Sequence, residues 1–287
     1  MDCKPSAQSV SSGLYIVATP IGNARDITLR ALDVLTNADL VLCEDTRVTS
    51  KLFARHSISN TLMAYHEHNA KHVRPEIIKR LKNGGTVALV SDAGTPLVSD
   101  PGYRLVESCI EEGITLTTIP GASAVLSALV LSGLPTDRFF FHGFLPNKTV
   151  GRQKALAEIK DVPGSLVFLE SAKRLAASLS DMAEVLGPRP VAVTRELTKI
   201  YEEIKRGSLE HLSQFYRENG PPKGEVTIVV GPPQPVKAPV GDELDALISD
   251  ALSRFSVKEV ARQISLETGL AKRLIYNRAL ELKNGTP

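Results

Sequence analysis

The chain has 287 residues, 43% of them hydrophobic, enough for a substantial core in two domains with room for a small appendage. A formal net charge of +2 excludes a strongly basic nucleic-acid coat and an acidic tail, so any contact with a polynucleotide must come from local patches. Cys3, Cys43 and Cys109, with no CxxC pair, encode neither a disulfide framework nor a zinc knuckle and fit a reducing compartment.

Residues 1–13 are polar and lack the basic start and apolar run of a signal peptide, so they are expected to form a disordered tail. No later stretch stays apolar for the roughly 18 residues of a membrane span, and a cytoplasmic location is expected. Short apolar runs bounded by Gly, Pro, Asp and Asn then alternate with segments of helical period. That pattern predicts crossover units and a largely parallel sheet in each half. In a first α/β domain, 14–134, the predicted strands are Leu14–Ala18, Asp39–Cys43, Thr86–Val90 and Thr115–Ile119. In a second, 135–231, they are Phe139–Phe144, Ser165–Leu169, Pro190–Thr194 and Val226–Val230. Ser132-Gly-Leu-Pro-Thr-Asp137 carries the loop signals of the joint, and the cleft between the halves could take a cofactor.

Residues 232–241 contain four prolines and predict an extended linker. Beyond it lies a small helical unit, 242–287. Ser256-Val-Lys-Glu259 predicts a capping box opening a helix to Ile264, Glu267-Thr-Gly269 a break, and Leu270–Lys283 a second helix. Two helices across a glycine turn resemble a helix-turn-helix, and Arg254–Lys283 holds seven basic and three acidic residues. Nucleic-acid binding and a helical cap or dimer element both stay open.

Chemistry is expected at three strand ends built of small residues: Thr19-Pro-Ile-Gly-Asn23, Ser91-Asp-Ala-Gly-Thr-Pro96 and Pro120-Gly-Ala-Ser123. In open α/β sheets ligands sit outside the carboxyl ends of the strands, and small residues let backbone approach a flat ligand. Neither GxxxxGK[ST] nor GxGxxG occurs there, which disfavours nucleotide polyphosphates. Asp92 is the sole charge between Ser91 and Val98, and 120–135 has none, a surface suited to adenosine joined to a cation, the form of S-adenosylmethionine. Asp92 could equally be a turn residue bonding its own backbone. The all-apolar helix from Pro120 to Leu134 should be buried in the core or a dimer interface. Ser99-Asp100-Pro101 predicts a helix start, with Asp100 as N-cap and Pro101 first in the helix. Glu44-Asp45-Thr46-Arg47 puts two carboxylates at the same sheet edge, either for taking a proton or as a helix cap paired with Arg47. His66-Glu-His-Asn69 lacks further ligands at suggestive spacing, so no metal is expected. Arg152, Lys154, Lys173, Arg174 and the Thr194–Lys199 stretch offer cations that either solvate a surface or bind phosphates.

Leu14–Asn23, Glu44–Arg47, His66–Asn69, Val90–Gly102, Gly133–Arg138 and Arg195–Lys199, in this order, resemble the tetrapyrrole methylase superfamily, and within it the branch acting on small-subunit ribosomal RNA. The likeness spans about residues 13–231 and, more loosely, the C-terminal helices. It implies two α/β domains with S-adenosylmethionine in the cleft, a homodimer, and 2'-O-methylation of a cytidine ribose in 16S rRNA, within the small ribosomal subunit. It assigns cofactor contacts to Pro20, Asp92, Gly94, Thr95, Val98, Ser123, Ala124 and Leu169. The ribose hydroxyl is weakly acidic and needs a base, for which Glu44 and Asp45 are the candidates, with Arg47, Arg195 and Lys199 placed to hold RNA phosphates. The chain departs from the pattern at Pro120-Gly-Ala122, where a second proline is common, and at Glu170-Ser-Ala-Lys-Arg174, where Glu-Ser-Pro-His-Arg is common. The second departure removes support for a histidine role there. Carbon methylation of a tetrapyrrole and a non-enzymatic nucleic-acid-binding regulator are the competing readings.

Overall fold

The computed structural model describes residues 10–233, 239 and 241–285, and the chain divides into two compact units after Pro233. Of the expected tail and linker, residues 1–9, 234–238 and 240 lie outside the described residues. The described end of the tail is attached: the Val10 and Ser11 carbonyls accept from Thr86 Oγ1 at 3.5 and 3.2 Å.

The first unit holds two five-stranded sheets. The first comprises β1 (Gly13–Val17), β2 (Leu40–Cys43), β3 (Leu62–Ala64), β4 (Thr86–Leu89) and β5 (Leu116–Ile119), in the order β3-β2-β4-β1-β5 and parallel throughout. Between and after these strands run α1 (Leu29–Asn37), α2 (Thr46–Arg55), α3 (Glu67–Lys82), α4 (Tyr103–Glu111) and α5 (Ala124–Ser132). Strand side chains alternate between two buried faces. Val41, Cys43 and Ala88 join one cluster with Leu35 and Phe53, while Leu40, Leu42 and Leu89 join another with Leu105 and Ile77. Burial on both faces is why these strands read as continuous apolar runs.

The second sheet comprises β6 (Phe139–Phe144), β7 (Ser165–Ser171), β8 (Pro190–Arg195), β9 (Glu203–Ser208) and β10 (Glu225–Val230), in the order β6-β7-β10-β8-β9. Here the expectation of a largely parallel sheet is corrected: only β6 and β7 run parallel, and the other pairings are antiparallel. Helices α6 (Thr149–Ile159), α7 (Leu175–Leu186) and α8 (Leu209–Asn219) contribute to one core cluster of this sheet, and α5 packs Val125, Ala128 and Leu129 against Val167 and Val229. Two covered faces give antiparallel strands the same apolar signature as parallel ones. The polar edge strand β9 and the short β3 carried no such signal. The helix expected to be apolar all round buries one side, while Leu126 and Val130 stand 53% and 70% exposed on the other.

Arg152, counted among surface cations, is buried instead: Nε donates to Asp181 Oδ2 at 2.5 Å and Nη1 to the Asn147 carbonyl at 3.2 Å. Removing one partner of such a pair strands an uncompensated charge. Asp181→Ala is expected to lower unfolding stability by about 3–5 kcal/mol, read by denaturant titration. A loss under about 1 kcal/mol would show the pair to be solvated like a surface pair. Arg174 is also committed, donating to Glu170, to the Leu145 carbonyl and to Asn147. Cys43 and Cys109 are free and buried, and burial pushes the Cys109 thiol up to about 11.

The second unit is three helices, α9 (Asp242–Leu252), α10 (Val257–Thr268) and α11 (Lys272–Asn284), around Ile248, Val260, Ile264 and Ile275. Ser256 caps α10, accepting from Glu259 N at 3.4 Å. The return bond of a capping box is not formed, because the Glu259 carboxylate takes Arg262 at 2.6 and 3.1 Å. Gly269 ends α10 at φ +70°. The unforeseen α9 is held to α11 by Arg278, which donates to Asp245 at 2.7 and 2.5 Å. Among the described residues no helix is long and apolar enough to cross a membrane.

Candidate active site

The three small-residue loops meet at the carboxyl edge of the first sheet. Thr19 N donates to the Gly94 carbonyl at 2.9 Å, Gly94 N returns to Thr19 O at 3.0 Å, and Thr19 Oγ1 donates to Ser91 O at 3.2 Å. Thr95 Oγ1 reaches the Ala122 carbonyl at 3.4 Å, which ties in the third loop. Gly94 sits at φ +81°, a left-handed conformation open to glycine at little cost, and an added Cβ would lie 3.5 Å from Ile21 Cγ2.

Over this floor lies a cavity of about 460 Å³, within the range of small-molecule sites. The second sheet closes it with the end of β7 and the start of β10, which stand side by side through the antiparallel register Leu169↔Thr227. Gly94, Thr95, Val98, Ser123, Ala124 and Leu169 all line it. Pro20 and Asp92 do not: Asp92 braces the neighbouring turn, its Oδ1 accepting from Asp45 N at 3.1 Å. Ser123 also caps α5, accepting from Leu126 N at 3.4 Å.

The charged side chains of the lining are Asp100, Glu170 and Glu225, and among the described lining residues there is no Lys, Arg or His. Glu170 is satisfied by Ser171 N at 2.7 Å, by Arg174 and by Ser178, and Glu225 pairs with Lys199 at 3.1 Å. Among the described residues Asp100 has no cation within ion-pair distance; the Ser91 hydroxyl near it donates to the Ala93 and Gly94 carbonyls at 3.3 and 3.5 Å. Burial pushes its carboxyl above the usual range; the nearby Ser91 hydroxyl draws it down and Asp92 adds repulsion. Glu44 and Asp92 are raised as well, burial being the largest cause in each, and Glu44 also feels Asp92 and Asp100. These three carboxylates therefore form one coupled group.

Asp100 and Pro101 do not start a helix, which corrects the expectation: α4 begins at Tyr103 with Gly102 as its N-cap. The loop before it is contorted, with Leu97 at φ 72° and Ser99 at φ 65°. Such conformations cost non-glycine residues about 1–3 kcal/mol and mark sites where geometry outranks local preference. On the opposite side β6 bulges between Phe141 and Gly143, and a Cβ on Gly143 would come within 3.0 Å of Ser99 Oγ. Asp100 was thus missed as a cavity residue because Asp-Pro also signals a helix start.

Asp45 caps α2, accepting from Arg47 N at 2.8 Å, and takes the Arg47 guanidinium at 2.6 to 3.1 Å. Those bonds hold its carboxyl down to about 2, a weak base. Glu44, at the end of β2, keeps a raised carboxyl. Arg195 pairs with Glu203 at 3.1 Å, and Lys199 pairs with Glu196 and Glu225, so all three cations expected on RNA carry an acidic partner. His66 precedes α3, its N–H bonded to Asn69 Oδ1 at 2.9 Å; among the described residues no group of His, Cys, Asp or Glu is set to hold a metal ion.

The profile of the Tetrapyrrole (Corrin/Porphyrin) Methylases matches residues 13–213, which defines the class: a methyltransferase of that fold. A cobalt precorrin-4 methyltransferase superposes with TM-score 0.59 at 20% identity, over 80% of this chain and 98% of that one. The uroporphyrin-III C-methyltransferase of Thermus thermophilus complexed with S-adenosyl homocysteine gives TM-score 0.53 at 21% identity, over 76% of this chain and 97% of that one. At such identities the likeness is one of fold. The profile described as RsmI C-terminal HTH domain matches 238–283. The chain is 48% identical to the "Ribosomal RNA small subunit methyltransferase I" of Mesorhizobium japonicum, over 97% of this chain and 95% of that one. It is 43% identical to the protein of the same name from Escherichia coli O157:H7, over 96% of this chain and 97% of that one. It belongs to the ribosomal RNA small subunit methyltransferase I family.

Proposed function

We propose that the protein transfers a methyl group from S-adenosylmethionine to the 2'-hydroxyl of a cytidine ribose in 16S rRNA of the small ribosomal subunit, in the cytoplasm and as a homodimer. The observation that carries this reading is a cavity at the carboxyl strand ends whose described lining holds three carboxylates and no cation, Asp100 being the one without an ion-pair partner while Glu170 and Glu225 are paired from outside the lining. Such walls favour a positive centre and would repel a polyphosphate. The backbone-rich floor fits the cofactor: Gly94, Thr95, Ser123 and Ala124 would hold it below, with Val98 and Leu169 at its sides. Bound there, S-adenosylmethionine supplies a methyl group already activated by a positive sulfur.

The chain's own task is then alignment and proton removal. Asp100 is the base best placed to take the proton of the ribose hydroxyl, being in the cavity wall, raised in pKa and free of an ion-pair partner among the described residues. Glu44, whose raised carboxyl feels Asp100, is a second acceptor, while Asp45 and Arg47 fix the start of α2. The exposed Leu126 and Val130 of α5 suit a subunit contact. The division at 134/135 would make the cavity an interdomain cleft.

Incubation of labelled S-adenosylmethionine with unmodified 30S subunits, free 16S rRNA and a tetrapyrrole tests the reading. Label is expected in RNA, at one cytidine whose 3'-linkage resists alkali. Label in the tetrapyrrole alone, or in none of the three, would refute it.

A further inference from the structure

Asp100 lines a second cavity as well, of about 480 Å³, bounded by the first turns of α3 and the start of α4. Its polar walls differ in sign from the first: Lys71, Arg74 and Arg104 stand there against Glu67 and Asp100. Among the described residues none of these three cations has a carboxylate within ion-pair distance, unlike Arg47, Arg195 and Lys199. Arg74 makes only a long bond, 3.4 Å from Nη1 to the Arg104 carbonyl. α4 opens on Gly102 with no side-chain cap, so the first amides of a helix add positive potential beside the cations. Tyr103, 67% exposed, offers a ring at the same place.

Resting on the function proposed above, we infer that this cavity seats the acceptor nucleotide of the RNA. Lys71 and Arg104 take phosphates of the strand, Arg74 supports the first turn of α4 that carries Arg104, and the Tyr103 ring stacks on a base. Three cations without a carboxylate partner neutralise an anionic backbone, and an aromatic face recognises a base without regard to sequence. Asp100, shared by both cavities, is then where the hydroxyl meets the methyl donor.

The test is Lys71→Ala with Arg104→Ala, and separately Tyr103→Ala and Arg104→Lys, each assayed with 30S subunits over a range of salt. The double variant should lose roughly tenfold in kcat/KM per phosphate contact and show a salt dependence shallower by about two. Tyr103→Ala should lose about fivefold or more, and Arg104→Lys should keep most activity. S-adenosylhomocysteine should bind every variant as it binds the wild type, which reports an intact fold and first cavity. Unchanged kcat/KM and salt slope in the double variant, with the wild type methylating RNA, would overturn this inference alone. A wild type that transfers no methyl to RNA would overturn the functional reading beneath it.

Discussion

Asp100→Asn is expected to lower kcat for RNA methylation by about 100-fold or more, the range of a lost general base, while S-adenosylhomocysteine binds within about twofold of wild type. Asparagine keeps the shape of the side chain but accepts no proton. Because burial and Asp92 raise the Asp100 carboxyl, wild-type activity should fall on acidification at a pH above the usual carboxylate range, and the variant should lose that limb. The same shift has a consequence for stability. A carboxyl whose pKa is higher folded than unfolded stabilises the fold at low pH, and this contribution is lost as pH rises through the folded value. At pH 7 the ionised Asp100 therefore weakens the fold, and Asp100→Asn should melt higher than wild type, the gap closing at pH below the ordinary aspartate pKa. Lower activity with higher stability separates a working carboxylate from a structural one. A variant with wild-type kcat, or one that is both inactive and less stable at neutral pH, would remove Asp100 from the mechanism.

Gly94→Val should abolish most cofactor affinity, with the Kd for S-adenosylhomocysteine rising about 30-fold or more by calorimetry. Two effects combine. A β-branched residue at φ +81° is a backbone outlier, costing about 1–2 kcal/mol. The new Cβ would also stand 3.5 Å from Ile21 Cγ2 at the cavity wall, leaving its two methyl groups to crowd Ile21 or the ligand space. Gly84→Val is the matched control, since Gly84 has φ +83° with nothing within 4 Å of its Cβ position. It should share the loss of stability and leave cofactor affinity unchanged. Equal Kd values for the two variants would place the ligand elsewhere.

Much of the site was legible because its signals are local. A glycine that must be left-handed, Gly94, and the small residues Ser123 and Ala124 after a strand mark where backbone lies bare, and all three line the cavity. What was illegible depended on direction and partnership. The parallel-sheet rule looks at carboxyl strand ends, so it passed over Val226 and Thr227, which reach the cavity from the amino end of the antiparallel β10. Asp45 and Arg47 carried equal promise as base and phosphate ligand; their mutual bonds, about 2.6 to 3.1 Å, bind each to the other instead. Lys71, Arg74 and Arg104 lie on two helices far apart in sequence and gave no pattern at all.

Periodicity, turn residues and family motifs determined from sequence alone that this is an α/β methyltransferase with small-residue, neutral-to-acidic loops at its carboxyl strand ends, because apolar alternation and glycine conformations are properties of short segments. Only the tertiary structure decided which carboxylates keep a raised proton affinity. Proton affinity depends on burial and on charges brought near by folding: Asp100 is raised by its surroundings and Asp45 lowered by Arg47, although both are aspartates in loops that follow strands.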